Sequence, residues 1–288
     1  MEDSKSVFIT GITGNQGGAL AKHLSETDIR IVGLTRDSGS VRAKNLVAQG
    51  VEIVEGDLDN HDSFKETLSD IDIFFLVQGF EQGAKKEIEQ AQRLVDLIKE
   101  YHVPHLVYSS VLGADLNTGI PHFESKYIVE NYIKNSQLDY TTLRPASFME
   151  NLLNQEVLKR LKKGKLVLPL NKNTIQQLIS TEDIGKVAAR IITTISKYKG
   201  QTLNLVTDQK SAMEQAEAIS KVLNKPVTYQ KLPGIFTYLF MGKDLFKMFS
   251  YMNKNNFIVM KDIDAFKKEF KELGDFEYWV ESTLKLHI

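Results

Sequence analysis

Glycines at positions 11, 14, 17 and 18, a histidine at 122 and a lysine at 126 are the residues of this 288-residue chain whose spacing points to chemistry. The glycines lie in Gly11-Ile12-Thr13-Gly14-Asn15-Gln16-Gly17-Gly18, between the apolar run from Val7 to Thr10 and a segment that reads as a helix. The pattern is GxxGxxG, not GxGxxG, yet it meets the same physical needs. One glycine allows a tight turn, one lets backbone N–H groups approach a pyrophosphate, and one lets the helix pack close to the strand. A helix beginning near Gln16 aims the positive end of its dipole at that phosphate. The strand–loop–helix context favours a cofactor floor over a ligand-free turn. His122 and Lys126 are four apart, so on a helix they share one face.

Two further positions refine the cofactor. Where an NAD site ends its second strand with an acid for the ribose, this chain has Thr35 and then Arg36. An arginine there can pair with a 2′-phosphate and stack on adenine, which favours NADP(H), although Asp37 beside it works against this. Arg42 is a possible second contact. After the third strand-like run, Asp57 stands where a carboxylate could accept from the adenine amino group, or could simply cap a loop.

These residues need a scaffold, and the first half of the chain supplies its pattern. Apolar runs of four to seven residues, "VFIT", "IRIVGLT", "VEIVEGD", "IDIFFLV" and "HLVYSS", suit parallel strands covered on both faces. Between them, "KEIEQAQRLVDLIKEY" sets Ile88, Ala91, Val95 and Ile98 on one helical face with charges opposite. Strands separated by such helices imply right-handed crossovers and an α/β, doubly wound parallel sheet. Past residue 150 the alternation loosens. "IQQLIS" reads as a strand, and "TEDIGKVAARIITTI", "SAMEQAEAISKVL", "DIDAFKKEF" and "FEYWVESTL" read as helices. The expected division is a cofactor-binding domain over 1–150, to which later segments return, and a smaller, mostly helical substrate or partner lobe over 151–288 that closes over the sheet's carboxyl edge. The aromatic stretch "GIFTYLFMGKDLFKMFSYM" reads as core packing of that lobe, with a greasy lid or partner groove as the alternative.

Composition sets the outer limits. Apolar residues make up 42% and charged residues 25%, with a formal net charge of −1. That balance gives no electrostatic reason to expect nucleic acid or an anionic membrane as partner. No apolar run is long enough to span a bilayer. The short acidic start "MEDSKS" has no basic and apolar leader pattern, which points to the cytoplasm. The absence of cysteine excludes disulfides and thiolate chemistry. His102 and His105 have no third ligand in sequence reach, so no metal site is expected.

Taken together, "GITGNQGG", "LTRD", "EGDLDN", "HFESKYIVENYI" and "TTLRPASFMENLL" resemble the NmrA-like branch of the atypical short-chain dehydrogenases/reductases. The likeness runs over nearly the whole chain, including "FEYWVEST", which is similar to that branch's C-terminal tryptophan helix. The resemblance implies a Rossmann domain with a small C-terminal lobe and NADP(H) as cofactor. It assigns Gly11, Thr13, Gly14, Asn15, Gln16 and Gly17 to the pyrophosphate, Arg36 to the 2′-phosphate, and Asp57 and Leu58 to the adenine. Gln78 and Gly79 follow along the cofactor, Lys126 reaches the nicotinamide ribose, and Phe148 to Asn151 line the nicotinamide end. Ordinary short-chain dehydrogenases use Tyr-x-x-x-Lys; here the stretch is His122-Phe123-Glu124-Ser125-Lys126, so the lysine is present and the tyrosine is not. Tyr127 lies about a hundred degrees round the helix from Lys126 and cannot stand in. His122 is a candidate proton donor or simply a helix-start residue, and Ser109 or Ser110 falls at the place of the usual catalytic hydroxyl. The family divides between reductases of quinones and related unsaturated compounds and redox-sensing regulators that act through a protein partner. A sugar-nucleotide epimerase is disfavoured, because that chemistry leans on the missing tyrosine.

Overall fold

A computed structural model describes residues 5–79 and 82–288; residues 1–4, part of the acidic start, lie outside it. In chain order the elements run β1 (Ser6–Ile9), α1 (Asn15–Leu24), β2 (Arg30–Thr35), α2 (Val41–Ala48), β3 (Glu52–Glu55), β4 (Ile73–Leu76), α3 (Ala84–Glu100) and β5 (His105–Ser109). Then come α4 (Pro121–Asn135), β6 (Asp139–Pro145), β7 (Ser147–Phe148), α5 (Gln155–Leu161), β8 (Lys165–Leu168), β9 (Ile175–Ile179) and α6 (Thr181–Thr193). The last are β10 (Gln201–Leu205), β11 (Asp208–Ser211), α7 (Ala212–Leu223), β12 (Thr228–Lys231), α8 (Gly234–Asn255), α9 (Ile263–Glu269) and α10 (Phe276–Ser282). Short 3-10 turns link several of them.

The chain forms two compact units. The first takes the residues up to Leu116, Pro121–Arg144 and Ile184–Leu203; the second takes Asn117–Ile120, Pro145–Asp183 and Asn204–Ile288. In the first unit the strands make one seven-stranded sheet in the order β10-β6-β5-β4-β1-β2-β3. The pairings of β1 with β2 and β4, of β2 with β3, of β4 with β5 and of β5 with β6 are all parallel. This is the doubly wound sheet the apolar runs predict, and its order reverses between β1 and β4, the edge where such sheets take ligands. Its central strands are buried on both faces: Val7, Phe8 and Ile9 of β1, Phe74 and Phe75 of β4, and Leu106 and Val107 of β5 are sealed from water. Ala91, Leu94, Val95 and Ile98 of α3 and Val129 and Ile133 of α4 pack against Phe8, Phe74, Leu76 and Tyr108. Gly185 on α6 lets that helix approach α1, for a Cβ there would lie 2.6 Å from the Ala19 backbone.

The second unit has a three-stranded sheet, β11-β9-β7, and a parallel pair, β12-β8. Its core joins Met149, Leu152, Leu161, Leu166 and Leu178 to Ala216, Ile219, Phe276, Trp279 and Val280. The expectation that "GIFTYLFM" packs in this core is wrong. In α8, Ile235, Phe236, Tyr238, Leu239 and Phe240 are exposed, and in this stretch Thr237 alone is buried. The physical reason is a break at Gly242 (φ +83), which separates this stretch from the rest of α8.

Candidate functional site

Each glycine of the loop has its own task. Gly11 has φ +58, a backbone state in which glycine carries no penalty, and it turns the chain from β1. Gly17 would place a Cβ 2.4 Å from the Gly11 carbonyl oxygen, so it serves close packing. Gly14 has an extended backbone (φ −85, ψ −177), and its Cβ would meet only the Gly11 oxygen, at 3.1 Å. Gly14 N–H donates to Gly11 O at 2.9 Å and closes the turn. Gly14 is also the N-cap of α1, and no side chain caps that end; its first turn carries no acid. The N–H groups of Asn15, Gln16 and Gly17 there have no intrahelical acceptor. A donor cluster of this kind, with positive dipole and no competing carboxylate, fits a pyrophosphate.

The surroundings of the loop are ordered by side chains. Arg42 of α2 donates to the Thr13 carbonyl at 3.0 Å, which ties α2 to the glycine loop. Arg36, after β2, is exposed and makes no ion pair or hydrogen bond among the described residues. Asp37 is committed to a local turn, accepting from Gly39 N–H at 2.9 Å. Asp57 also closes a turn, accepting from Asp59 N–H at 2.8 Å, and Leu58 leans on the α3 core. Gln16 accepts from Ser109 Oγ at 2.7 Å, so the hydroxyl at the end of β5 is directed to the glycine loop. Ser110 instead donates to Glu130 Oε1. Glu130 also accepts from Arg144 Nε at 2.9 Å and Nη2 at 2.5 Å, and Arg144 reaches Asp115 at 2.6 Å. Ser110 therefore belongs to a buried structural network.

Lys126 sits in the first half of α4, almost wholly buried, and sequence reasoning missed what holds it. Its Nζ lies 2.7 Å from Glu87 Oε1 and donates to the Gln78 carbonyl at 3.3 Å, above the Tyr108 ring at 5.4 Å from its centroid. Ser125 Oγ donates to the other oxygen of Glu87 at 2.6 Å. Glu87 stands four, eight and eleven residues before Ala91, Val95 and Ile98, on the buried face of α3, and it is 3% exposed. That face explains its burial, and its partners on α4, 38 and 39 residues away, compensate the buried charge. The Gln78 side chain donates to Gln90 at 2.6 Å, and Gln90 donates on to Asp59 at 3.1 Å; Gly79 follows Gln78 in an open stretch. Gln78 Oε1 and the Tyr108 hydroxyl make no hydrogen bond among the described residues. Burial pushes the Tyr108 phenol well above its usual range, so it stays neutral. His122 is buried on α4, its ring edge-on to Phe123 at 4.8 Å. Tyr127 is exposed.

In the second unit, Phe148 ends β7 and Asn151 lies exposed in the turn that follows. Between them, Glu150 accepts from Thr181 N–H at 2.9 Å and Trp279 Nε1 at 3.1 Å. Burial raises its carboxyl above the ordinary value, against those hydrogen bonds. This pair connects "FMENLL" with the C-terminal tryptophan, a link no local pattern could have revealed.

Among the described residues no helix is long and apolar enough to cross a membrane. The profile of the NmrA-like family matches residues 3–280. An NAD(P)H azoreductase of Xenophilus azovorans is 27% identical over 226 residues, covering 77% of this chain and 76% of the relative. The NmrA negative transcriptional regulator, crystallised with NADP, shares the fold at TM-score 0.81 and 19% identity, over 99% of this chain and 97% of that one. An NADPH-dependent quinone oxidoreductase of Escherichia coli does so at TM-score 0.78 and 20% identity, over 98% and 100%. With its seven-stranded Rossmann sheet and a family match across nearly its full length, the chain belongs to the NmrA-like family.

Proposed function

We propose that the protein is a cytoplasmic enzyme that binds NADP(H) and delivers hydride to quinone-like acceptors. The observation that carries this reading is the uncapped start of α1 at the point where strand order reverses, with Arg42 tied to the loop and Arg36 exposed beside it. NADPH bound there supplies the hydride. The backbone N–H groups of Asn15, Gln16 and Gly17 hold its pyrophosphate, with Gly14 leaving room for it, Arg36 and Arg42 take the 2′-phosphate, and Asp57 with Leu58 borders the adenine. Gln78 and Gly79 follow the chain of the cofactor, and Lys126 donates to the nicotinamide-side ribose. Lys126 faces a carboxylate and acts as a cationic donor, not as a base.

The acceptor class follows from what is missing. Ordinary short-chain dehydrogenases oxidise alcohols with the tyrosine of Tyr-x-x-x-Lys as base, and position 122 here holds instead a histidine buried against Phe123. A quinone accepts hydride to give a delocalised phenolate, which water can protonate afterwards. The azoreductase relative and the quinone oxidoreductase fold support a conjugated, electron-poor acceptor. The same missing tyrosine supports a second reading, a non-catalytic NADPH/NADP⁺ sensor acting through a protein partner, as the regulator neighbour suggests.

NADPH oxidation against a panel of quinones decides between them. The expected result is turnover that Lys126→Ala lowers together with cofactor affinity. His122→Ala should leave turnover within about tenfold, less than the 10²–10⁴ typical of losing a positioned acid. A thousandfold loss in the His122 variant at unchanged affinity would make His122 the proton donor. Tight NADPH binding with no turnover would select the sensor.

A further inference from the structure

We propose that Glu87 is the positioning residue for Lys126, and that through it the buried turn of α3 sets how tightly the nicotinamide half of the cofactor is held. This rests on the NADP(H) reading above. A carboxylate as buried as Glu87 carries a heavy desolvation cost unless it is paired and hydrogen-bonded. Its partners are two consecutive residues of α4: Ser125 fixes one oxygen at 2.6 Å and Lys126 stands 2.7 Å from the other. Among the described residues Oε1 accepts no well-aligned hydrogen bond, so the 2.7 Å approach is a contact of charges. The remaining polar contact of the ammonium, to Gln78 O, is a long 3.3 Å.

That combination suits a ligand-binding cation. Charge fixes where Nζ sits, while its N–H directions remain weakly committed and can turn to a pair of ribose hydroxyls. A lysine held by three short, aligned bonds would have nothing left to offer. Gln78 Oε1, unused among the described residues, adds an acceptor on the residue whose carbonyl meets Lys126. The geometry therefore separates two tasks. The glycine loop and Arg36 meet the adenosine and phosphate half, and Glu87, Ser125 and Lys126 govern the far ribose.

The test compares two probes in titration: NADPH, and adenosine 2′,5′-bisphosphate, which lacks the nicotinamide riboside. Glu87→Gln should weaken NADPH about tenfold, the size of one charge-assisted contact, and leave the bisphosphate within about twofold. Lys126→Met should do the same, and the Glu87→Gln/Lys126→Met double variant should be no worse than Lys126→Met alone. Ser125→Ala, which keeps both charges, should lose severalfold on NADPH only, and it decides the matter if Glu87→Gln fails to fold. Equal losses on both probes, or losses that add in the double variant, would reduce Glu87 to a packing role. Failure of the unmodified protein to bind either probe would instead remove the cofactor reading itself.

Discussion

Two buried ion pairs share helix α4, one turn apart, and they are built to opposite ends. Glu130 receives the forked guanidinium of Arg144 and the Ser110 hydroxyl, while Arg144 also holds Asp115. Its charges and lone pairs are committed, so the pair ties β6, α4 and the turn after β5 together. Glu87 and Lys126 keep a loosely directed ammonium, next to Gln78 Oε1 and the Tyr108 hydroxyl, which make no hydrogen bond among the described residues. The first arrangement is closed and stabilises; the second leaves donor and acceptor positions for the ribose we propose there. Satisfaction of hydrogen bonds, more than burial or charge, separates a structural pair from a binding one.

The largest effect should come from opening the closed pair. Arg144→Met strands Glu130 in the interior and should cost about 3–5 kcal/mol in urea unfolding, with bisphosphate binding retained in whatever remains folded. A cost below about 1 kcal/mol would mean that Glu130 finds water or another partner, and the contrast with Glu87 would collapse. The glycine loop repeats the contrast on a smaller scale. Gly17→Val pushes a side chain into the Gly11 backbone and should destabilise the fold by about 1–3 kcal/mol or more. Gly14→Val meets only one atom of the loop, so its melting temperature should stay near that of the parent while NADPH no longer raises it. Matching melting temperatures for the two variants would show that position 17 is not a packing glycine. Arg36, exposed and without a partner among the described residues where Arg144 is buried and committed, should matter to ligand alone. Arg36→Ala should cost about 1.5–3 kcal/mol of NADPH affinity and leave NADH nearly unchanged. Equal affinities of the unmodified protein for the two cofactors would remove Arg36 from the phosphate.

What the sequence reveals follows the range of the interactions. Strands β1 to β5 and helix α3 are legible because each is a short apolar run or stripe whose burial shows in its own periodicity. The glycine loop is legible because a turn, a close approach and a packing contact each demand glycine within seven residues. Glu87 is legible only in part: its spacing to Ala91, Val95 and Ile98 puts it on the buried face of α3, but nothing within that helix points to Ser125 and Lys126 as its partners. Strand β6 hides for a related reason: Thr141, Thr142 and Arg144 look like surface residues, and their partners lie on other elements. Strand β10 joins the sheet only after the chain has passed through the second unit, so the regular alternation fades just where the topology stops being local. The exposed aromatics of α8 mislead in the opposite direction, because hydrophobicity reports what could be buried and not whether a neighbour buries it.

The smallest effect should appear as a pH dependence at the first residue of β5. His105 opens β5, buried, with Nε2 3.0 Å from Thr141 Oγ1. The Thr141 hydroxyl spends its one proton on the Tyr198 carbonyl at 2.9 Å, so it must accept from the imidazole. His105 is therefore a neutral ring with its proton on Nε2. Burial lowers its pKa to about 4; Asp139 pulls it up and Lys199 pushes it down, and those two face each other in an ion pair of 2.6 Å. The unfolded chain takes up this proton near the ordinary value of about 6.5, before the folded protein does. Between those two values the unfolded state binds more protons, so this contribution to stability is complete above about pH 6.5 and is lost as pH falls toward 4. The loss by about pH 4.5 should be on the order of 1–2 kcal/mol. His105→Gln keeps a donor for Thr141 but cannot titrate, so its urea midpoint should fall less steeply than the parent's from about pH 7 to about pH 4.5. Parallel curves for the two proteins would mean that His105 charges in place, so that burial beside Thr141 does not keep its ring neutral.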